Sequence, residues 1–327
     1  MPATIEWISS FLFTSIRIAT PLIYVAICAA ISQQAGLLNM AAESMMLASA
    51  LAGVIFSAIS QNLLIGILGG AACSVLVTLI LCFATFVMKV DLYLMSIAMN
   101  TALVGGTIYV LFLTTGMKSN SAATFNSLQM PAVEIPILKD IPFIGDILSG
   151  HNGFTYIAFI MVFLVWFLIF KTKLGLRIRA VGKNPQAAES VGINPRRIYT
   201  LSFAIAGFVA SFGGMFLSMG YQTFFAREMT GGRGFIGTSA ATIAGGNPVG
   251  AALVALVFGV ADAVTNILKL YVSDANLIAA MPYMITVVLL LILSKIRLER
   301  KKRKELARAG KLEEYEETAR QAEQERG

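Results

Sequence analysis

Apolar residues run along this chain in long blocks. Those at 9–32, 40–59, 62–88, 91–115, 152–170, 199–219, 249–268 and 275–294 can each cross a hydrocarbon layer of ~30 Å as a helix rising about 1.5 Å per residue. Helix is the form such runs must take, because a strand edge in lipid would leave backbone groups without partners. A ninth block, 234–247, is rich in glycine and would reach only about 21 Å as a helix, too short to cross alone. Pro21 and Pro282 fall inside the first and last blocks and read as kinks that a membrane bundle tolerates. The pattern predicts an all-α polytopic bundle of about 8–10 transmembrane segments, with one broken, Gly-rich helix. The membrane domain covers residues 1–294, and a charged tail occupies 295–327.

The basic residues orient the bundle. Lys171, Lys173, Arg177, Arg179, Lys183, Arg196 and Arg197 stand against one acid, Glu189, in the segment 171–198. Seven more (Lys295, Arg297, Arg300, Lys301, Lys302, Arg303, Lys304) stand against Glu299. Positive loops stay inside, so both clusters are expected in the cytoplasm. The 116–151 connection, with two Lys and three acids, suits the outside. Two cytoplasmic clusters need an even number of crossings between them. Blocks 199–219, 249–268 and 275–294 make three, so 234–247 must complete a fourth, as a broken helix with its flanks. Nine crossings then put the N-terminus outside. The opening MPATIEWISS carries Glu6 and no basic stretch, so it does not read as a cleaved leader.

Composition narrows the chemistry. The chain is 57% hydrophobic and 13% charged, against about 45–50% and 25% in soluble domains, which excludes a soluble enzyme. The net charge of +7 is accounted for by topology, and no nucleic-acid partner is expected. Cys28, Cys73 and Cys82 lie within apolar blocks without a CxxC pair, as small core residues do. His151 is the single histidine and cannot build a metal site alone. Neither GxxxxGK[ST] nor HExxH occurs, so any ATP hydrolysis belongs to a partner chain.

The long basic connection carries the clearest local signal. Asn184 is placed to cap a helix beginning at Pro185, two turns follow to Val191, and Gly192 ends them. A short helix among basic residues could dock into a cleft on a soluble partner or lie along lipid headgroups. Within the membrane, Asn39 and Glu43 share a helix face at i, i+4, while Asn100 and Asn247 lie in Gly-containing stretches. Polar groups at membrane depth are functional candidates. The four either line a solute pathway or satisfy helix breaks and interhelical bonds. Arg17 and Asp262 fall at comparable depth, where they would pair or Arg17 would snorkel outward. Ala206, Ala210, Gly214 and Ser218 form a small-residue contact stripe. The Gly-rich block can expose backbone dipoles toward a midplane solute or simply pack tightly.

AAESVGI at 187–193 resembles the coupling loop of permeases of ATP-binding-cassette importers. The wider stretch LGLRIRAVGKNPQAAESVGIN is similar to the family of simple-sugar, nucleoside and branched-chain amino-acid permeases. So are GLLNMAAESMMLASA (36–50) and GGRGFIGTSAATIAGGNPVGA (231–251). RIATPL (17–22) and IPILKDIPFIGDIL (135–148) lean toward the nucleoside branch. One departure is Ser44, where the resemblance leads one to expect Gly. The resemblance implies a transport subunit in a bacterial cytoplasmic membrane, not an enzyme. It implies an ATPase subunit bound through Lys183, Asn184, Pro185, Ala187, Ala188, Glu189 and Gly192. It further implies a second, non-identical permease chain and an extracytoplasmic solute-binding lipoprotein. No cofactor is expected in this chain, because ATP and Mg would sit in the ATPase. Nucleoside is the favoured cargo and a ribose-like sugar the alternative. An ion-coupled transporter would leave the long basic loop without a purpose, and a scaffold recruiting partners through its tail would leave the Gly-rich block without one.

Overall fold

A computed structural model of the chain describes residues 3–134 and 144–268, together with scattered positions between 284 and 306. Its helices are α1 (Ala3–Gln34), α2 (Ala42–Ser60), α3 (Leu63–Cys82), α4 (Leu92–Thr115), α5 (Ile144–Leu148), α6 (Gly153–Lys171), α7 (Lys173–Lys183), α8 (Pro185–Ser190), α9 (Pro195–Met215), α10 (Arg233–Ile243) and α11 (Pro248–Leu268). The π-helical turns Phe83–Val87 and Phe216–Tyr221 extend α3 and α9. Among the described residues there is no strand, only two isolated bridges. The fold is the all-α polytopic bundle read from the apolar blocks. Seven helices, α1–α4, α6, α9 and α11, are long and apolar enough to span a membrane among the described residues. Most of block 275–294, the tail beyond 306, and residues 135–143 of the IPILKDIPFIGDIL stretch lie outside the described residues.

Polar residues at block edges set where the spans begin. The side chains of Asn62, Asp91, Asn152 and Asn194 accept first-turn N–H groups at the starts of α3, α4, α6 and α9, donors that lipid could not satisfy. Pro21 lies inside α1 without ending it. From Ala19 to Ser32 every residue of α1 is buried, so α1 is the central post of the bundle. The Tyr24 hydroxyl donates to the Phe154 carbonyl at 2.7 Å, tying the post to α6. Ala206, Ala210, Gly214 and Ser218 are all buried within the bundle. A Cβ on Gly214 would strike the Met46 carbonyl oxygen, so the stripe brings α9 backbone-close to α2. In contrast, α4 turns Leu94, Tyr109 and Leu113 outward.

The two ends of the bundle differ. One gathers the 116–134 loop, α5 and the irregular 222–227 segment, joined by Ser121 N–H to the Phe225 carbonyl (2.9 Å) and Arg227 N–H to that of Ser119 (2.8 Å). His151 is buried here, stacked on Phe13 at 4.0 Å, and burial holds its pKa below the ordinary value. The opposite, basic end gathers α7, α8, the end of α1 and the turn at 244–247. Among the described residues the spans alternate in direction between these two ends. Block 234–247 contributes an 11-residue helix, α10, while residues 222–232 descend to it from the far end without helix.

Gly214→Ala should lower the folded, monodisperse yield in detergent several-fold. Gly106→Ala, which meets nothing within 4 Å, should leave it unchanged. Fluorescence-detected size exclusion after heating separates the two.

Candidate functional site

Two helices begin part-way along the bundle rather than at one of its ends. Residues 35–41 rise from the end of α1 as irregular backbone before α2 starts, and residues 228–232 turn before α10 starts. The Glu43 carboxylate lies where the two starts meet. Its Oε1 accepts the Gly232 N–H at 2.9 Å and its Oε2 accepts the Gly234 N–H at 2.6 Å. By helical rise, Glu43 is about 21 Å along α2 from Ser57, which bonds the far-end loop at Leu128. Gly234 is about 12 Å along α10 from Thr242, which bonds Gln33 near the basic end. Glu43 is 8% exposed, and its carboxylate lies at a helix N-terminus, whose dipole favours negative charge. A side chain at 234 would meet Glu43 Oε2 at 2.6 Å, so only glycine admits this approach.

The neighbouring polar residues serve the same break. Asn100 reaches over from α4: its Oδ1 accepts the Ser44 N–H at 3.0 Å and its Nδ2 donates to the Met40 carbonyl at 2.8 Å. Asn39 is wholly buried, its Oδ1 accepting the Ala41 N–H at 3.0 Å. Ser44, the departure from the expected glycine, is also buried, and its hydroxyl donates to the Ala41 carbonyl at 2.7 Å. The structure thus brings Asn39, Glu43 and Asn100 together, their oxygens accepting backbone N–H groups, Asn100 Nδ2 donating to backbone and Asn39 Nδ2 facing the sulfurs of Cys28 and Met45 at 3.9 and 3.8 Å. Asn247 stands apart at the basic end, exposed, accepting the Val249 N–H at 3.1 Å as the cap of α11. Arg17 is exposed and lies 5.1 Å from the Tyr221 ring centroid, and Asp262 is half-buried on α11.

The basic segment folds as its residues direct. Asn184 Oδ1 accepts the Ala187 N–H at 3.0 Å, Pro185 opens α8, and Gly192 leaves it at φ +83°. Ala188 turns inward against Ala35, Ile178, Val181 and Ile198, while Lys183, Ala187, Glu189 and Gly192 face outward. Val191 is 72% exposed beside them. Gly182 and Gly36 hold this unit to α1 backbone on backbone. A Cβ on Gly182 would strike the Gln34 carbonyl, and one on Gly36 would lie 2.7 Å from the Gly182 oxygen. From the same end of α1, Gln33 Nε2 donates to Thr242 and Gln34 Nε2 to the Gly246 carbonyl, each at 2.8 Å. A continuous set of contacts therefore joins α8 to α10 and, through α10, to Glu43.

Between α10 and the irregular stretch before α2 lies a cavity of about 350 Å³. Leu38, Met40, Phe235, Ser239, Thr242 and Ser294 are among its lining residues. None of these was singled out from the sequence. The available signal was the spacing of Phe235, Ser239 and Thr242 along a glycine-rich helix.

The family model described as branched-chain amino acid transport system / permease component matches residues 11–294. The guanosine ABC transporter permease protein NupQ of Bacillus subtilis is 30% identical over 285 residues, 83% of this chain and 88% of that protein. The nucleoside ABC transporter permease protein NupC of Lactococcus lactis subsp. cremoris is 29% identical, covering 74% of this chain and 77% of its own length. The glucose ABC transporter permease protein TsgB13 of Haloferax volcanii is 26% identical, covering 77% and 68%. No solved structure gives a significant match.

Glu43→Ala should leave the Gly232 and Gly234 N–H groups unpaired, at about 1–3 kcal/mol each. Glu43→Gln keeps one acceptor and should lose less. The expected order of thermal midpoints in detergent is wild type, Gln, Ala. An alanine variant as stable as wild type would contradict the capping role.

Proposed function

The chain belongs to the branched-chain amino acid transport system / permease component family, and from that premise we propose that it is the nucleoside-translocating permease of an ATP-binding-cassette importer. It is a multi-pass membrane transport subunit. Its partners are an ATPase subunit, a second and non-identical permease chain, and an extracytoplasmic solute-binding lipoprotein. It resides in a bacterial cytoplasmic membrane with segment 171–198 and the tail 295–327 in the cytoplasm, and ATP with Mg is bound by the ATPase.

One observation carries the mechanism: the basic segment seats rigidly on the end of α1, whose glutamines hold α10. Lys183, Asn184, Pro185, Ala187, Ala188, Glu189 and Gly192 form the ATPase-facing element, with Ala188 anchoring it from within. Closure of the ATPase pair on ATP would displace α8. Close backbone packing at Gly182 and Gly36 passes that displacement on with little slack. Gln33 and Gln34 then carry it to α10, the half-helix poised on Glu43. Such a switch moves populations only because each nucleotide state binds one conformation better. Asn39, Glu43 and Asn100 are the polar frame of this moving part beside the solute route, and Asn247 marks its cytoplasmic hinge. Guanosine and nucleoside permeases among the relatives support a nucleoside cargo. The glucose permease supports a simple sugar as the second reading.

Cells with and without this gene should differ in uptake of labelled uridine or guanosine, and not of ribose. The difference should survive collapse of ion gradients and vanish when ATP is depleted. Ribose uptake alone would move the cargo to the second reading, and gradient-dependent uptake would overturn the importer class. Glu189→Lys should leave the protein in the membrane but cut ATP-driven uptake at least about tenfold, by placing like charge among the basic residues of the docking segment. Unchanged ATPase association and uptake would count against the coupling role.

A further inference from the structure

The groups that look most like solute ligands in the sequence, Asn39, Glu43 and Asn100, are engaged inside the protein, which leaves another surface to receive the solute. We infer that the open face of α10, formed by Phe235, Ser239 and Thr242, is a nucleoside-binding stretch in the inner half of the pathway. This rests on the permease reading above and names its substrate-contacting surface.

The first argument concerns which surface can face lipid. Irregular backbone at membrane depth is tolerated only inside protein or against water. Leu38, 41% exposed, and Met40, half-buried, lie on the irregular backbone before α2 and line the cavity beside α10. The face they border therefore looks onto an aqueous path and not onto acyl chains. Phe235, Ser239 and Thr242 recur at four- and three-residue intervals, so they form one stripe on that face. The stripe is about 10 Å long by helical rise, comparable to the long dimension of a nucleoside. Its cavity of about 350 Å³ falls in the range of small-molecule sites.

Side-chain chemistry then selects the ligand class. The lining residues are all uncharged, which suits a neutral solute and excludes a nucleotide phosphate. Phe235 is 45% exposed and, with Leu38 and Met40, offers an apolar wall for a flat ring. Stacking on an aromatic face accepts any base, so purine and pyrimidine nucleosides would both fit. Thr238 turns inward to the Gly234 carbonyl at 2.9 Å. Ser239, half-exposed on the cavity, makes no hydrogen bond among the described residues, and its hydroxyl is available to a ribose.

The test uses inside-out vesicles containing the whole transporter, with Cys28, Cys73 and Cys82 replaced by alanine. Ser239→Cys should react with a hydrophilic methanethiosulfonate, and uridine or guanosine should slow the reaction. Leu68→Cys, on the outward face of α3, should stay unmodified. Phe235→Ala should raise the half-saturating nucleoside concentration about tenfold or more, while Phe235→Tyr holds near wild type. If Ser239→Cys does not insert, Thr242→Cys gives the same reading. An unreactive thiol in transporting vesicles, or an unchanged half-saturation for Phe235→Ala, would overturn the inference. Should the wild type carry no nucleoside, the cargo reading falls; labelling of Ser239→Cys that another solute slows would then keep the surface and change the ligand.

Discussion

Glu43 closes the amide end of α10 from across the bundle, and much of the inner half of this protein depends on that contact. A helix that begins inside a membrane has N–H groups that neither water nor a preceding turn can satisfy. In hydrocarbon each such group is costly. Here the donors are answered by both oxygens of one carboxylate, at 2.9 and 2.6 Å, and the negative charge in turn gains from the helix dipole. The partner helix α2 carries the same difficulty, and Asn100 answers it by bonding Ser44 and Met40 on opposite sides of the break. Two unstable helix starts are made into one junction by two side chains.

That junction is well placed to move. Helices α1, α2 and α9 are heavily buried and form a rigid frame, with close glycine contacts such as Gly214 against Met46. The half-helix α10 is held to this frame by Glu43 at one end, by the glutamines of α1 at the other, and between them by Gly237 packed closely on Val25 and Ala26. The basic segment grips the same end of α1 through Gly182 and Gly36. A displacement of α8 thus meets packed backbone before it meets anything compliant, and interiors packed this closely transmit strain. On the outer face of α10, Phe235 is exposed and Ser239 half-exposed, while Thr242 at the basic end is held by Gln33.

The spans were legible because lipid leaves a single solution for long apolar runs, and most of the expected boundaries fall within a few residues of the observed ones. The short helix α8 was legible too, since Asn184, Pro185 and Gly192 each act on their own neighbourhood. The break at 234–247 was found by counting crossings against charge, and α10 with its irregular lead-in has the form that count required. Less accessible was how Asn39, Glu43 and Asn100 are used. Their residue types announce polar work at membrane depth, but a free amide and one bonded to a carbonyl read alike in one dimension. Phe235 and Ser239 carried no signal beyond helical spacing, because an exposed aromatic and a serine are ordinary on any helix.

Sequence by itself therefore determined the membrane environment, the order of the apolar spans that the described residues show, and the local caps that start and stop them. Each follows from short-range chemistry. Tertiary structure decided which polar groups are spent holding the scaffold and which surface remains open. Bonds such as Glu43 to Gly234 and Asn100 to Met40 join residues far apart in the chain. Their existence depends on how whole helices pack, and no local pattern of residues encodes that.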